Sequence, residues 1–325
     1  MSSTTYGYIA DTGPTQAYGN LPRKYNPVRP PIIIDYLVVA GGGAGGGLGS
    51  QLADQACGGG GAGGLRSTVT NTGGGCALES SIIFNYGDSF TVTVGAGGSA
   101  NTSGNDSVFS TITSDGGAEG QTFGGNGVTG GSGGGGGGAD SGGVASGGSG
   151  TACQGYDGGG GKNVYASGTG GGGGGAGEAG QAGQTNGGGT GGDGVAVNII
   201  TTTEASSASV GEVISSDVYF AGGGAGGHDP RGTSKVAKDG GDGGGANSQA
   251  GTASGLPGTA NTGGGGSGPG SVVNGQGGAG GSGIVILKYP LSLSLSIGAG
   301  LTSTTIESSG YKKTIFTAGT GTVSV

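Results

Sequence analysis

The chain has 325 residues, of which 96 are Gly and 9 are Pro, while charged residues make up 9% and hydrophobic ones 31%. So much glycine is the mark of low-complexity chains, but charge this sparse excludes the highly charged disordered class. The net charge of −8 and 11 scattered Lys and Arg leave no basic stripe to neutralise phosphates, which argues against nucleic acid as a partner.

Residues 1–31 hold five of the nine prolines (Pro14, Pro22, Pro27, Pro30, Pro31) together with Tyr18, Arg23, Lys24, Tyr25 and Arg29. Proline removes backbone donors and favours extended chain, so this segment reads as a docking arm for a neighbouring subunit, with a flexible tail as the other reading. Met1-Ser-Ser-Thr-Thr-Tyr6 has no basic region followed by an apolar one, the pattern of a chain made in a cytoplasm. Runs such as Ile32–Ile34 and Ile284–Leu287 are far shorter than the roughly 20 residues of a membrane helix, so no anchor is expected.

From Ile32 onward, short β-favouring runs alternate with glycine. Strands are predicted at Ile32–Ala40, Ser67–Asn71, Ala77–Asn85, Phe90–Val94, Ser107–Ser114, Val195–Thr203, Glu212–Ala221 and Ile284–Tyr289. Phe90-Thr-Val-Thr-Val94 alternates as a half-buried strand does, and Ile284-Val-Ile-Leu287 is continuous, which suits burial on both faces. No stretch carries a 3.6-residue apolar period, so little or no α-helix is expected.

The glycine blocks lie chiefly at 41–64, 95–104, 115–194 and 222–283. Ala-Gly-Gly-Gly-Ala-Gly-Gly occurs at 40–46 and again at 221–227, each time directly after a predicted strand. Blocks such as Gly133–Gly138 break the Gly-X-Y period and exclude collagen. Ordering 96 glycines costs on the order of 50–100 kcal/mol relative to Ala, against a net stability of about 5–15 kcal/mol, so something besides apolar burial must hold the fold. Packed poly-glycine II helices would supply it, with irregular glycine loops as the other reading. Such helices have three residues per turn and no internal hydrogen bonds, so their amides reach neighbouring helices, with the interspersed Ala, Ser, Thr and Asn expected on the exterior. The fold class expected is all-β: a β-sandwich-like scaffold with packed poly-glycine II helices and long glycine-rich loops. The domains expected are the arm, a glycine-rich domain over 32–290, and a small C-terminal β module over 291–325 that begins with the alternating Leu291–Ile297.

Four motifs bear on chemistry. Matches to Gly-x-Gly-x-x-Gly carry no information at this glycine content, and Gly158–Gly161 before Lys162 lacks the spacing of a phosphate loop. The single histidine, His228, stands beside Asp229 and Arg231 with no nucleophile nearby, which reads as a surface turn. Asp239-Gly-Gly-Asp-Gly-Gly244 is half a calcium-binding repeat that does not recur. Neither a metal, nor a cofactor, nor enzymatic activity is expected. Cys57, Cys76 and Cys153 are an odd set without metal spacing; they read as small buried hydrophobes, with one thiol at least left free and a Cys57–Cys76 bridge left open. Large and charged residues interrupt the glycine at Tyr156, Asp157, Lys162 and Tyr165 and at His228, Asp229 and Arg231. These would be loop tips, read either as receptor-binding positions or as plain solvated turns.

Asp35-Tyr-Leu-Val-Val-Ala-Gly-Gly-Gly43, Phe90-Thr-Val-Thr-Val-Gly-Ala-Gly-Gly98, Gly104-Asn-Asp-Ser-Val-Phe-Ser110 and Gly280-Gly-Ser-Gly-Ile-Val-Ile-Leu-Lys-Tyr-Pro290 together resemble the glycine-rich domain of bacteriophage tail fibres and adhesins over about 32–290. The resemblance implies a β scaffold bearing packed poly-glycine helices, on the exterior of a virion. It implies a tail-fibre or adhesin-type protein that recognises a host surface, or else a purely structural capsid- or tail-associated subunit. Its partners would be other virion proteins, further copies of itself, most simply as a trimer, and a host glycan or outer-membrane protein.

Overall fold

The computed structural model describes residues 31–47, 56–138, 144–162, 168–229, 236–250, 253–270 and 275–325. Two strands organise it. β1 (Ile32–Val39) and β10 (Ile284–Pro290) pair antiparallel, from Asp35 opposite Lys288 to Val39 opposite Ile284. Successive side chains of a strand point to opposite faces, and here each face meets a different core. Ile32, Ile34, Tyr36 and Val38 with Val285, Leu287 and Tyr289 face one core; Leu37 and Val39 with Ile284 and Ile286 face the other. Burial on both faces is why these two segments are apolar without alternation.

The main sheet runs β2 (Leu65–Ser67), β1, β10, β13 (Tyr311–Ser324), β4 (Ser89–Val94), β5 (Ser107–Phe109), β6 (Ile112–Ser114). β3 (Ile82–Phe84) joins β1, and β11 (Ser296–Ile297) and β12 (Leu301–Ser308) lie along β13. Residues 291–325 thus supply strands of this sheet: β13 pairs with β10 through Val285–Pro290 and with β4 through Ser89–Val94. The sheet curls into a nearly closed barrel. Its ends meet where Arg66 Nη1 of β2 donates to the Thr113 carbonyl of β6 at 3.2 Å, while Arg66 Nε pairs with Glu79. Inside, Phe90 lies 4.5 Å from Phe84 and 5.1 Å from Phe109 between ring centroids, with Tyr36 edge-on to Phe109 at 5.6 Å. The buried Tyr36 hydroxyl donates to Glu79 at 2.6 Å; burial first, then the Glu79 carboxylate, raise its pKa well above the ordinary phenol value.

The outer core is capped by a second sheet, β7 (Val195–Ala196), β9 (Asp217–Phe220) and β8 (Glu212–Ile214), and by α1 (Thr202–Ala208). The predicted strand 195–203 therefore survives as two residues. Thr201 and Glu204 form a capping box, in which the Thr201 side chain accepts from the Glu204 amide and the Glu204 carboxylate accepts from the Thr201 amide; satisfying these amides favours a helix start over a strand. Two other long strand predictions resolve into hairpins, turned where Ser110 and Ser215 take positive φ, 57° and 56°. Of the alternating stretch 291–297, Ser296–Ile297 is strand. In the barrel face beneath α1, Lys313 is 5% exposed and its Nζ donates to both Glu204 carboxylate oxygens at 2.7 and 3.0 Å. Burial by itself raises the Glu204 pKa, but hydrogen bonds from Lys313, Ser308 and the Thr201 amide, with the Lys313 charge, outweigh it and hold the group at about 2.

Beyond the strands lies the glycine lattice. Residues 57–64 form a rod at its centre, bonded with a period of three residues. Gly58, Gly61 and Gly64 donate to Gln121, Ala118 and Asp115; Gly59 and Ala62 to Gly171 and Gly174; Gly60 and Gly63 to Gly266 and Gly263. The carbonyls of the same rod accept from three more neighbours: Gly46, Gly43 and Ala40; Gly135 and Ser132; and Gly224. This is the three-residue turn of a poly-glycine II helix surrounded by six others, each side bonding one neighbour. The rods touch so closely that a Cβ on Gly60 would lie 2.1 Å from the Gly43 carbonyl oxygen, and one on Gly59 would lie 2.0 Å from that of Gly224. Both heptapeptides, 40–46 and 221–227, are such rods, launched from β1 and β9. The small residues interrupting the rods divide: Ala96, Ser146, Ala182 and Ala279 are exposed as expected, whereas Ala44, Ala62, Ala118, Ala225, Ser132, Thr169 and Ser267 are fully buried. At those positions the packing leaves room for one small side chain, which completes the interior instead of lining the outside.

The cysteines are likewise partly reassigned. Cys76 and Cys153 are bonded to each other and exposed, which excludes the Cys57–Cys76 pairing, while Cys57 is buried and free.

Candidate recognition pole of the glycine lattice

Each rod runs away from the strands or back toward them. Ala40 follows β1 and Ala221 follows β9 directly, whereas Gly64 enters β2 and Gly283 enters β10. The ends remote from the strands gather at one pole. Gly138 donates to the Ala56 carbonyl at 3.0 Å, Lys162 and Thr169 exchange both backbone bonds at 2.8 and 3.0 Å, and Thr169 bridges in turn to His228. Gly227, which donates to Cys57 at 2.8 Å, lies against Pro269. From these ends the sequence passes into segments 48–55, 139–143, 163–167, 230–235 and 271–274, all outside the described residues. In these segments glycine gives way to Leu48, Gln51, Leu52, Val164, Tyr165, Arg231 and Lys235.

The sequence candidates divide accordingly. Lys162 and His228 are brought to this pole on neighbouring rods, flanking Thr169. The Lys162 side chain is exposed and its Nζ reaches Thr185 Oγ1 at 2.9 Å. Tyr165 and Arg231 lie outside the described residues, as do Tyr18, Arg23, Lys24, Tyr25 and Arg29 of the arm. The surface turn expected at His228 is corrected: His228 and Asp229 are both fully buried, because the chain is still part of the lattice there and the Asp229 amide donates to the Gly168 carbonyl at 3.2 Å. Tyr156 and Asp157 are not at the pole. They begin the rod that ends at Lys162, roughly 18 Å away at about 3.1 Å per residue. Tyr156 is half-buried with its hydroxyl against Gly75, and exposed Asp157 accepts from the Gly150 amide at 2.9 Å.

The half-repeat Asp239-Gly-Gly-Asp242 lies in a concave acidic site on the flank of the lattice, whose other walls the sequence did not indicate. Glu212, Asp239, Asp242, Asn247 and Leu256 line a cavity of about 430 Å³. Glu212 Oε2 accepts from the Gly243 and Gly244 amides, each at 2.7 Å, and Asp193 Oδ1 from the Asp242 amide at 3.0 Å, so these carboxylates serve the backbone of 242–244. Burial, then the neighbouring Asp193 and Glu212 carboxylates, raise the Asp242 pKa. Among the described residues no group of three or more His, Cys, Asp and Glu is placed to hold a metal ion.

A family model described as a glycine-rich domain matches residues 19–290. No curated protein and no solved structure matches the chain significantly.

Proposed function

Given that the chain belongs to the glycine-rich domain family, we propose that it is a bacteriophage virion protein of tail-fibre or adhesin type, which holds host-recognition segments at the end of a rigid glycine lattice. One observation carries this reading: the rods end together, at Ala56, Gly138, Lys162, Thr169 and His228, where the sequence leaves glycine for large and charged residues. A body cross-bonded in six directions fixes the spacing of what it carries, and preorganised presentation lowers the ordering cost of binding. Lys162, Tyr165 and Arg231 are the residues assigned to contact with a host glycan or outer-membrane protein. In this reading the chain is made in the host cytoplasm and sits on the virion exterior. It meets other virion proteins and copies of itself, as a trimer, through the arm 1–31, inserts into no membrane, binds no nucleic acid or cofactor, and catalyses no reaction.

Purified full-length protein is expected to bind host cells, and the triple variant K162A/Y165A/R231A to lose at least tenfold in affinity with its melting temperature unchanged. Absence of host binding, together with tight retention on capsid or tail, would support instead a purely structural virion subunit, for which the same lattice is equally suited. Native mass spectrometry checks the assembly: a monomer at micromolar concentration contradicts the trimer.

A further inference from the structure

The joint between barrel and lattice is fastened twice, once by hydrogen bonds and once by sulfur. The turn Gly73–Gly75 places the Gly74 amide on the Ala176 carbonyl at 2.9 Å, and the Leu65 amide bonds the Gln154 carbonyl at 3.1 Å. Gln154 is 9% exposed; its Oε1 accepts from the Asp115 amide at 2.7 Å, and Thr151 Oγ1 donates to Asp115 Oδ2 at 2.9 Å. None of these bonds involves a sulfur atom. Cys76 and Cys153 stand at the rim of this joint with their Cα atoms 5.2 Å apart, 77 residues apart in sequence, and both are exposed to solvent. The fold thus presents two cysteines at bridging distance on its wet side, at a joint that backbone and Gln154 already hold. Cys57 is the opposite case: buried in the lattice, where burial pushes its thiol up to about 12, it stays protonated and out of reach of exchange.

We propose that Cys76–Cys153 is a redox-reversible staple added to an already folded chain: the protein folds with both thiols reduced and closes the bond on reaching an oxidising medium. The oxidant is a small-molecule disulfide of the glutathione type. One cysteine thiolate attacks it, its S–S bond breaks, one small thiol leaves, and a mixed disulfide remains on the protein. The second cysteine thiolate then attacks the protein sulfur and expels the second small thiol, so the two protein thiols lose two electrons and two protons and the small disulfide gains them. The bond leaves the native joint as it is and restricts the unfolded chain, where tying residues so distant in sequence has a large entropic effect. Its action is therefore on resistance to unfolding, and not on shape. The staple stands independently of the virion reading; only the setting that suits it, synthesis in a reducing cell followed by release, belongs to that reading.

The test uses purified full-length protein treated with a phosphine reductant in the absence of denaturant, followed by maleimide labelling and mass spectrometry, circular dichroism and thermal melting. Labels are expected on Cys76 and Cys153 and not on Cys57, with an unchanged spectrum at 25 °C. The melting temperature should fall by roughly 10 °C and recover on addition of glutathione disulfide. The double variant C76A/C153A should match the reduced protein and ignore the reductant. A bond that resists reduction until the protein is denatured overturns the proposal. So does loss of the β spectrum in either the reduced protein or the double variant at 25 °C, or reoxidation that recruits Cys57. Each readout is made without a host, so failure here and failure of host binding are separate results.

Discussion

At Gly60 and Ala62, two residues apart on one rod, the same methyl group has opposite consequences. A Cβ on Gly60 would sit 2.1 Å from the Gly43 carbonyl oxygen, on a backbone that cannot turn aside, whereas the Ala62 methyl is fully buried without displacing a neighbour. The G60A variant is expected to lose at least about 3 kcal/mol, since overpacking against backbone cannot be relieved by a rotamer change. A62G should lose only about 1 to 2 kcal/mol, for one buried methyl and the added freedom of glycine in the unfolded chain. Urea melts of the two variants check this, and equal effects would contradict a lattice of close-packed rods. The need for glycine was legible from composition alone. Which interruptions point inward was not, because poly-glycine rods have six neighbours and the sequence carries no mark of which side is crowded.

Among the elements, α1 is held to the barrel through the buried pair of Glu204 and Lys313. E204Q leaves the ammonium group without its charge partner at 5% exposure, and a loss of about 3–5 kcal/mol is expected. The pH dependence follows from the depressed pKa. The Glu204 contribution is fully present above the unfolded value of about 4.3, and is lost as pH falls through the folded value of about 2. Melting temperatures between pH 5 and pH 2 should therefore fall more steeply for the native protein than for E204Q. Asp242 runs the other way: its pKa is raised, so ionisation opposes folding and the contribution is lost as pH rises through the folded pKa. D242N should melt higher than the native protein at pH 7 and no higher at pH 3. Helix α1 shows how local chemistry overrides strand propensity. Thr201-x-x-Glu204 was legible as a capping box, but the β-branched run 199–203 masked it, and only packing against Lys313 shows which prevails.

For the whole molecule, the lattice makes glycine blocks as protected as sheet. The amides of Gly59, Gly60 and Gly61 are bonded at 2.8–2.9 Å inside six neighbouring rods, so hydrogen exchange in 57–64 should be as slow as in β1 and β10. Exchange at the rate of an unstructured chain would contradict the fold. The strands and rods depend on each other: β1, β9 and β10 run straight into or out of rods at Ala40, Ala221 and Gly283, and β2 receives one at Gly64. A cut in either layer should therefore lower the stability of both.

The sequence by itself determined the period-two strands, the doubly buried β10, the scarcity of helix and the exclusion of collagen, because each follows from local stereochemistry and the reach of one residue to its near neighbours. The tertiary structure decided what depends on distant partners. It paired Cys76 with Cys153 across 77 residues, buried His228 and Asp229, set Tyr156 and Asp157 apart from Lys162, and brought the rod ends to one pole. Glycine rods look alike in sequence, and only their hydrogen-bond register with six neighbours assigns each residue a level and a side.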